Sequence, residues 1–174
     1  PQEYNYRIIV SADGLNDSQH GGVKATVVSC KFFPCEQVFL LLIYRPGCRK
    51  GPKLDMHECT RLALEDLRQD PTFRIKFLSG DNPAIAEVLK CNQHNGHYPC
   101  IKCETKGAKE DNHVIEGRTW DANLPHRTHE GILVAIDEAT RRNCTVLGFK
   151  ARSFIFDFTD DITKCAVPDY MHFI

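Results

Sequence analysis

Phe73-Arg74-Ile75-Lys76-Phe77-Leu78, followed by Ser79-Gly80-Asp81-Asn82-Pro83, decides the architecture of this chain. The first six residues alternate as a strand does, and Ser79-Gly80-Asp81 ends the run. Pro83 then opens a helix through Leu89, at a first-turn position where the missing N–H costs least. Upstream, Asp55 to Gln69 reads as another helix: Met56, Cys59, Leu62, Ala63 and Leu67 recur at helical spacing, with Asp55 as cap and Asp70-Pro71 as stop. A helix of that length is a crossover that lets the following strand lie parallel to an earlier one.

The earlier strands are legible too. Arg7-Ile8-Ile9-Val10-Ser11-Ala12 is a short β-branched run that Asp13-Gly14 is expected to stop in a tight turn. After a polar, Gly-rich stretch from Asn16 to Gly22, Lys24 to Phe33 reads as a second strand and Gln37 to Tyr44 as a third, with Pro34-Cys35-Glu36 between them. Connections this short favour antiparallel neighbours. The order is therefore three strands in a meander, a helix, a fourth strand and a helix, and the simplest sheet sets the fourth strand beside the first. Asp13 and Asp81 then fall at the carboxyl ends of neighbouring parallel strands, where ligands collect in open α/β sheets.

Composition narrows the class. The chain has 174 residues, 42% hydrophobic and 26% charged, as an ordinary globular domain does, which excludes disorder and low complexity. The longest apolar run, Val38 to Ile43, is far short of the roughly 20 residues a membrane helix needs. Pro1-Gln2-Glu3-Tyr4 has neither a basic nor an apolar leader and no initiator Met, so the chain reads as a segment of a longer protein. Nine cysteines, an odd number, cannot all pair. Clustered Cys then point to metal and scattered Cys to core packing, the reading for Cys30 and Cys59.

From Cys91 to about Arg127 the periodicity fails, and a loop this long is uncommon unless something pins it. A helix returns at Glu130 to Arg141, with a short strand expected near Thr145-Val146-Leu147 and no closing helix before Ile174. Trp120 reads as a packing anchor for the irregular region. His20, His57, His113, His126 and His129 read as surface or loop residues. No internal repeat is evident.

Two Asp residues ending two strands can form half of a two-metal site for phosphodiester chemistry, and Mg²⁺ prefers such hard oxygen ligands. Singly, each is also a common turn former. Cys100-Ile101-Lys102-Cys103 is a C-x2-C knuckle offering two thiolates from one tight turn, half of a tetrahedral zinc site. Local candidates for the other half are Cys91, His94 and His97; distant ones are Asp169 and His172. A redox C-x2-C would follow a strand and begin a helix, and this one does neither.

Ser11-Ala12-Asp13-Gly14, Ser79-Gly80-Asp81-Asn82-Pro83-Ala84, the run His94 to Cys103 and Pro168-Asp169-Tyr170-Met171-His172 together resemble, in this order, the eukaryotic cut-and-paste DDE transposases with a ribonuclease H-like core. The similarity is greatest to the CACTA-type elements and the antigen-receptor recombinase, and it spans Arg7 to His172. It implies an α/β fold with a ribonuclease H-like mixed sheet in the order β-β-β-α-β-α and an irregular zinc-binding insertion. Residues 1–91 would be the first part of the core, 92–129 the zinc-knuckle insertion, and 130–174 a helical segment with the D-x2-H motif. Asp13 and Asp81 match the family's first two catalytic, metal-binding carboxylates, for Mg²⁺ or Mn²⁺. Cys100, Cys103 and His172 match its Zn²⁺ ligands, with Asp169 either a fourth ligand or a carboxylate that orients His172. The implied partners are DNA, as transposon ends and target, and other domains of the parent protein, in the nucleus; self-association is left open, and a membrane is not implied.

The family's third carboxylate is a Glu downstream of the D-x2-H motif. Glu104, Glu130 and Glu138 all precede that motif, so weak or no strand cleavage is expected from this segment alone. Charge adds no support for DNA binding, since 22 Lys+Arg balance 23 Asp+Glu. Arg45, Arg49, Lys50 and Lys53, and Lys102, Lys106 and Lys109, could contact phosphates or be solvated faces. Two rival readings are a domesticated, non-catalytic module that binds DNA or protein, and an unrelated zinc-binding α/β domain using Cys91, His94, Cys100 and Cys103.

Overall fold

In a computed structural model of the chain, residues 7–17, 23–32, 38–44, 54–93, 95–110, 113–115 and 124–168 are described. Of β1, β5 and β6, both ends of β2 and the last two residues of β3, the backbone alone is described. The protein is a mixed α/β structure. Its main sheet contains β1 (Arg7–Asp17), β2 (Val23–Phe32), β3 (Val38–Tyr44), β4 (Arg74–Gly80) and a short strand, Ala166–Pro168. That last strand is β7, because β5 (Ala108–Glu110) and β6 (His113–Ile115) form a separate antiparallel hairpin.

The strand order is β3-β2-β1-β4-β7. β1, β2 and β3 run antiparallel in sequence, whereas β4 lies parallel to β1 and β7 parallel to β4. The crossover expected from the helix before Phe73 is thus present, and it brings β4 back beside β1. Lys76 is skipped in the β1–β4 ladder, where Ile8 pairs with Ile75 and Ile9 with Phe77. Such a bulge bends and twists the strand that carries it.

Helix α1 (Met56–Ala63) begins at Asp55, whose carboxylate accepts from Glu58 N at 2.7 Å. It ends earlier than the apolar pattern suggests: a turn follows, then a single 3₁₀ turn at Leu67–Gln69, and Leu62 stays exposed. α2 (Asn82–Val88) and α3 (His129–Arg142) match their expected positions. In α3, Ile132, Ala135, Ile136 and Ala139 are buried, one stripe at i, i+3, i+4, i+7. Asn143 closes the helix in the left-handed conformation at φ 52°. Among the short elements not expected from the sequence are β5, β6 and β7, a 3₁₀ turn at Phe154–Asp157, and α4 (Ile162–Cys165), which leads directly into β7.

α1 packs on β2 and β3, while α2 packs on β4, β1 and β7. The core beneath them includes Val28, Cys30, Cys59, Leu64, Leu78, Leu89, Ile155 and Ile162, all nearly inaccessible. Burying each large aliphatic side chain stabilises the fold by about 1.5–3 kcal/mol. Cys30 and Cys59 are core residues, as read from the sequence. On the other parity of the sheet Val27, Ser29, Lys31, Phe77 and Ser79 are only half-buried. No helix among the described residues is long and apolar enough to cross a membrane.

Three expectations need correction. β1 does not stop at Asp13-Gly14: it continues to Asp17, because β2 pairs with it as far as Asp17↔Val23. The strand expected near Thr145 to Leu147 is instead a tight turn in which Val146 and Phe149 exchange both backbone hydrogen bonds at 2.9 Å. His57 is buried rather than superficial, packed edge-on against Phe154 at 5.3 Å between ring centroids. Its burial pushes the imidazole below the usual His range.

Candidate functional site

The β1–β4 ladder fixes where the backbones of Asp13 and Asp81 stand. Ser11 pairs with Ser79, so Asp13, on β1, and Asp81, the residue after β4 ends, are each two residues beyond the last pair of the parallel ladder. Adjacent strands lie about 4.8 Å apart, and equal offsets keep the same parity. Asp13 is therefore not at the end of its own strand but just beyond the end of its parallel ladder, where it pairs with Val27 on the opposite side. β4 stops at Gly80, and Asp81 turns the chain into α2.

Asp81 caps that helix: one carboxylate oxygen accepts from Ala84 N at 2.7 Å. The turn role and the ligand role are compatible, because the cap uses one oxygen and leaves the other without a hydrogen bond among the described residues. A pair of hard carboxylates at matched register suits a divalent cation such as Mg²⁺.

The second group of site residues lies in the irregular region, and three segments pin it. Asn92 N donates to Gly148 O at 2.7 Å and Lys150 N to Lys90 O at 3.0 Å, binding its start to the 146–149 turn. Glu104 N donates to Pro125 O and Arg127 N to Lys102 O, binding its middle to the approach of α3. The Lys102 ammonium donates to Thr163 O in α4, three residues before β7 begins at Ala166. Gly148 is required where it is: its φ is +91°, and a Cβ there would stand 2.2 Å from Tyr98 O.

Within that frame Cys100 and Cys103 are half-buried, their thiols free and electrostatically coupled to each other. Lys102 N donates to Cys100 Sγ at 3.3 Å, and Cys103 Sγ lies 2.9 Å from Thr105 Oγ1. Burial raises the Cys100 thiol. At Cys103 burial acts the same way, but the hydrogen bonds from Thr105 and Cys100 outweigh it and hold the thiol below its ordinary value. Cys91 is buried and pushed up to about 11 by desolvation, a neutral core thiol at neutral pH. His97, another local candidate, has Nδ1 2.9 Å from Gly107 O.

Among the described residues no three His, Cys, Asp or Glu side chains gather closely enough to hold a metal ion. Asp169, His172 and His94 lie outside the described residues, as do Trp120 and the basic residues Arg45 to Lys53. The C-x2-C pair thus remains two sulfur donors, with a chemistry that fits zinc and a second half still to be supplied.

Sequence reading missed Arg127, which is buried at 7% exposure beside the knuckle. Its Nε donates to Cys103 O at 2.9 Å and its Nη2 to Leu147 O at 2.8 Å, and its guanidinium sits 5.3 Å from the Phe149 ring centroid. Nothing in Pro125-His126-Arg127-Thr128 marks that role, which exists only once two distant turns meet. No protein-family model, curated protein or solved structure matches the chain.

Proposed function

We propose that this chain is part of the catalytic core of a DNA transposase, built on a ribonuclease H-like sheet. The observation that carries the reading is the matched offset of Asp13, on β1, and Asp81, just past the end of β4, each two residues beyond the Ser11–Ser79 pair of the parallel ladder. The strand order β3-β2-β1-β4-β7, with three antiparallel and then two parallel additions, supports the same reading. In the intact protein Asp13 and Asp81 would hold divalent cations at the end of the β1–β4 ladder. When bound, such ions lower the pKa of an attacking water or 3′-hydroxyl and neutralise charge on the departing oxygen of a DNA phosphodiester. The protein's own part is to fix the two carboxylates: the β2 pairing of Asp13 holds one backbone position and the α2 cap holds the other side chain.

Zinc in this reading is structural, with Cys100 and Cys103 as ligands, His172 as a third and Asp169 as a fourth ligand or as the carboxylate that orients His172. The Lys102 bond to Thr163 O supports it, because it fastens the knuckle to the segment that leads through β7 to Asp169. DNA as partner and a nuclear location belong to the same proposal.

Mn²⁺ binding followed by electron paramagnetic resonance tests the carboxylate pair. Asp13→Asn and Asp81→Asn are each expected to weaken Mn²⁺ at least tenfold, and unchanged binding in both variants would remove the basis for a nuclease core. Elemental analysis tests the zinc. One zinc per chain that is lost in His172→Ala supports the shared site, whereas zinc retained in that variant but lost in His94→Ala favours the unrelated zinc-domain reading.

A further inference from the structure

His57 brings a titratable ring into the core with one nitrogen unsatisfied. It is the second residue of α1 and only 7% exposed, and its Nε2 is buried with no hydrogen-bond partner among the described residues. The ring packs edge-on against Phe154, in the 3₁₀ turn at Phe154–Asp157. That turn is fastened separately to the sheet: Ile75 N donates to Phe158 O at 2.7 Å, and Phe158 packs on Phe73 at 5.2 Å between centroids. His57 thus joins the crossover helix to the segment that leads through α4 to β7.

A neutral imidazole suits this place and an imidazolium does not. Protonation puts donors on both ring nitrogens and leaves a buried charge to be compensated. Within α1, Asp55 and Glu58 attract that charge, but Asp55 caps the helix through the Glu58 N–H, and Glu58 holds the Arg61 guanidinium through both oxygens, at 2.6 and 2.9 Å. From α2, Glu87 accepts from Met56 N at 3.0 Å, and Lys90, just beyond that helix, repels. The Arg68 guanidinium already lies over the Phe154 ring, 5.1 Å from its centroid, and Asp157 is paired with Arg152. β2 and β3, on which α1 packs, carry no acidic residue; their ionisable groups are Lys24, Cys30, Lys31 and Tyr44. The first turn of the helix adds its own partial positive charge. We propose that His57 is an acid-released latch: as a neutral ring it seats α1 on Phe154, and as an imidazolium it lets the 153–158 turn come away from the helix. Desolvation, with Lys90 next, outweighs the two carboxylates and holds the imidazole below its ordinary value of 6.5. The unfolded chain then takes up a proton that the folded chain resists, so the latch contributes fully above pH 6.5 and is lost as pH falls below it.

The test follows the full chain from about pH 7.5 to about pH 5, a window that brackets the ordinary His value. Amide exchange, corrected for its intrinsic pH dependence, is expected to quicken severalfold at Phe156 N and Phe158 N, which bond to Ser153 O and Ile155 O, while the β1–β2 ladder stays protected. His57→Phe keeps a ring that takes no proton, so exchange at those amides is expected to match at both ends of the window. His57→Gln, neutral and polar, should behave the same way and guards against a phenyl ring that does not fit. In the unsubstituted chain the His57 imidazole, identified by NMR through its contacts to Phe154, is expected to titrate below the ordinary His range.

Acid loosening of equal size in the unsubstituted chain and in both variants would assign the effect to other groups and overturn the inference. A His57 ring that titrates at or above the ordinary His value overturns it too, as does a 153–158 turn that keeps its protection at about pH 5. Loosening that spreads evenly over the turn and the β1–β2 ladder would make acid a general denaturant rather than the release of one joint, and also counts against it. If neither variant folds, the imidazole titration and the exchange pattern of the unsubstituted chain decide the matter. The inference rests on neither metal reading, and failure of either leaves it standing.

Discussion

The sheet and the knuckle region are held by different means. In the sheet, periodic apolar side chains such as Ile75, Leu78, Val28 and Cys30 line one face and bury it under α1 and α2. In the segment from Lys90 to Gly107, only Cys91 and Ile101 among the described residues reach the core, and backbone bonds to two remote segments, a Lys102 side-chain bond to a third and one buried arginine do much of the holding. The first mechanism distributes stability over many contacts, while the second concentrates it in a few that have no substitute.

Leu78→Ala should break the sheet side of that contrast most severely. Leu78 is fully buried in β4, and truncation there is expected to cost about 2–5 kcal/mol in chemical denaturation. Gly148→Ala should strike the knuckle side. The added Cβ meets Tyr98 O and the positive φ strains any other residue, so a loss of about 1–3 kcal/mol is expected. Its signature sharpens the comparison: amide exchange should accelerate from Lys90 to Cys103 while β1 and β2 stay protected, whereas Leu78→Ala should loosen the sheet. Uniform acceleration in both variants would mean that the two regions are one cooperative unit.

How much of this could be read beforehand follows from the same contrast. The strands, α2 and α3 show in the sequence because their apolar spacing matches the geometry they adopt, and the parallel return of β4 follows from a helix-length crossover. Asp13 and Asp81 were legible as a pair for that reason. The extension of β1 past Asp13-Gly14 was not, because cross-strand pairing with β2 overrides a local turn preference. β7 is too short for any period to show, and it forms only because β4 offers a parallel edge. Arg127, Thr105 and the Lys102 tie to Thr163 join residues far apart in sequence, and no local pattern encodes them.

The smallest expected effect concerns the approach to β7. Asp161 caps α4, and its hydrogen bond from Thr163 Oγ1, at 2.6 Å, holds the carboxyl down to about 2. A depressed carboxyl stabilises the fold above its unfolded pKa, near 3.8, and loses that contribution as pH falls through about 2. Asp161→Asn should therefore cost less than about 1 kcal/mol at pH 7, and the gap between the variant and the parent should close on acidification from pH 4 to 2. A gap that persists at pH 2 would assign the effect to packing instead.

The most direct measurement is the coupling between the two carboxylates in Mn²⁺ affinity, from Asp13→Asn, Asp81→Asn and the double variant. If both side chains serve one cation site at the end of the β1–β4 ladder, the double variant should bind about as weakly as the poorer single one. If the two losses multiply as independent effects, or if neither substitution changes Mn²⁺ binding, the matched register of Asp13 and Asp81 does not make a metal site.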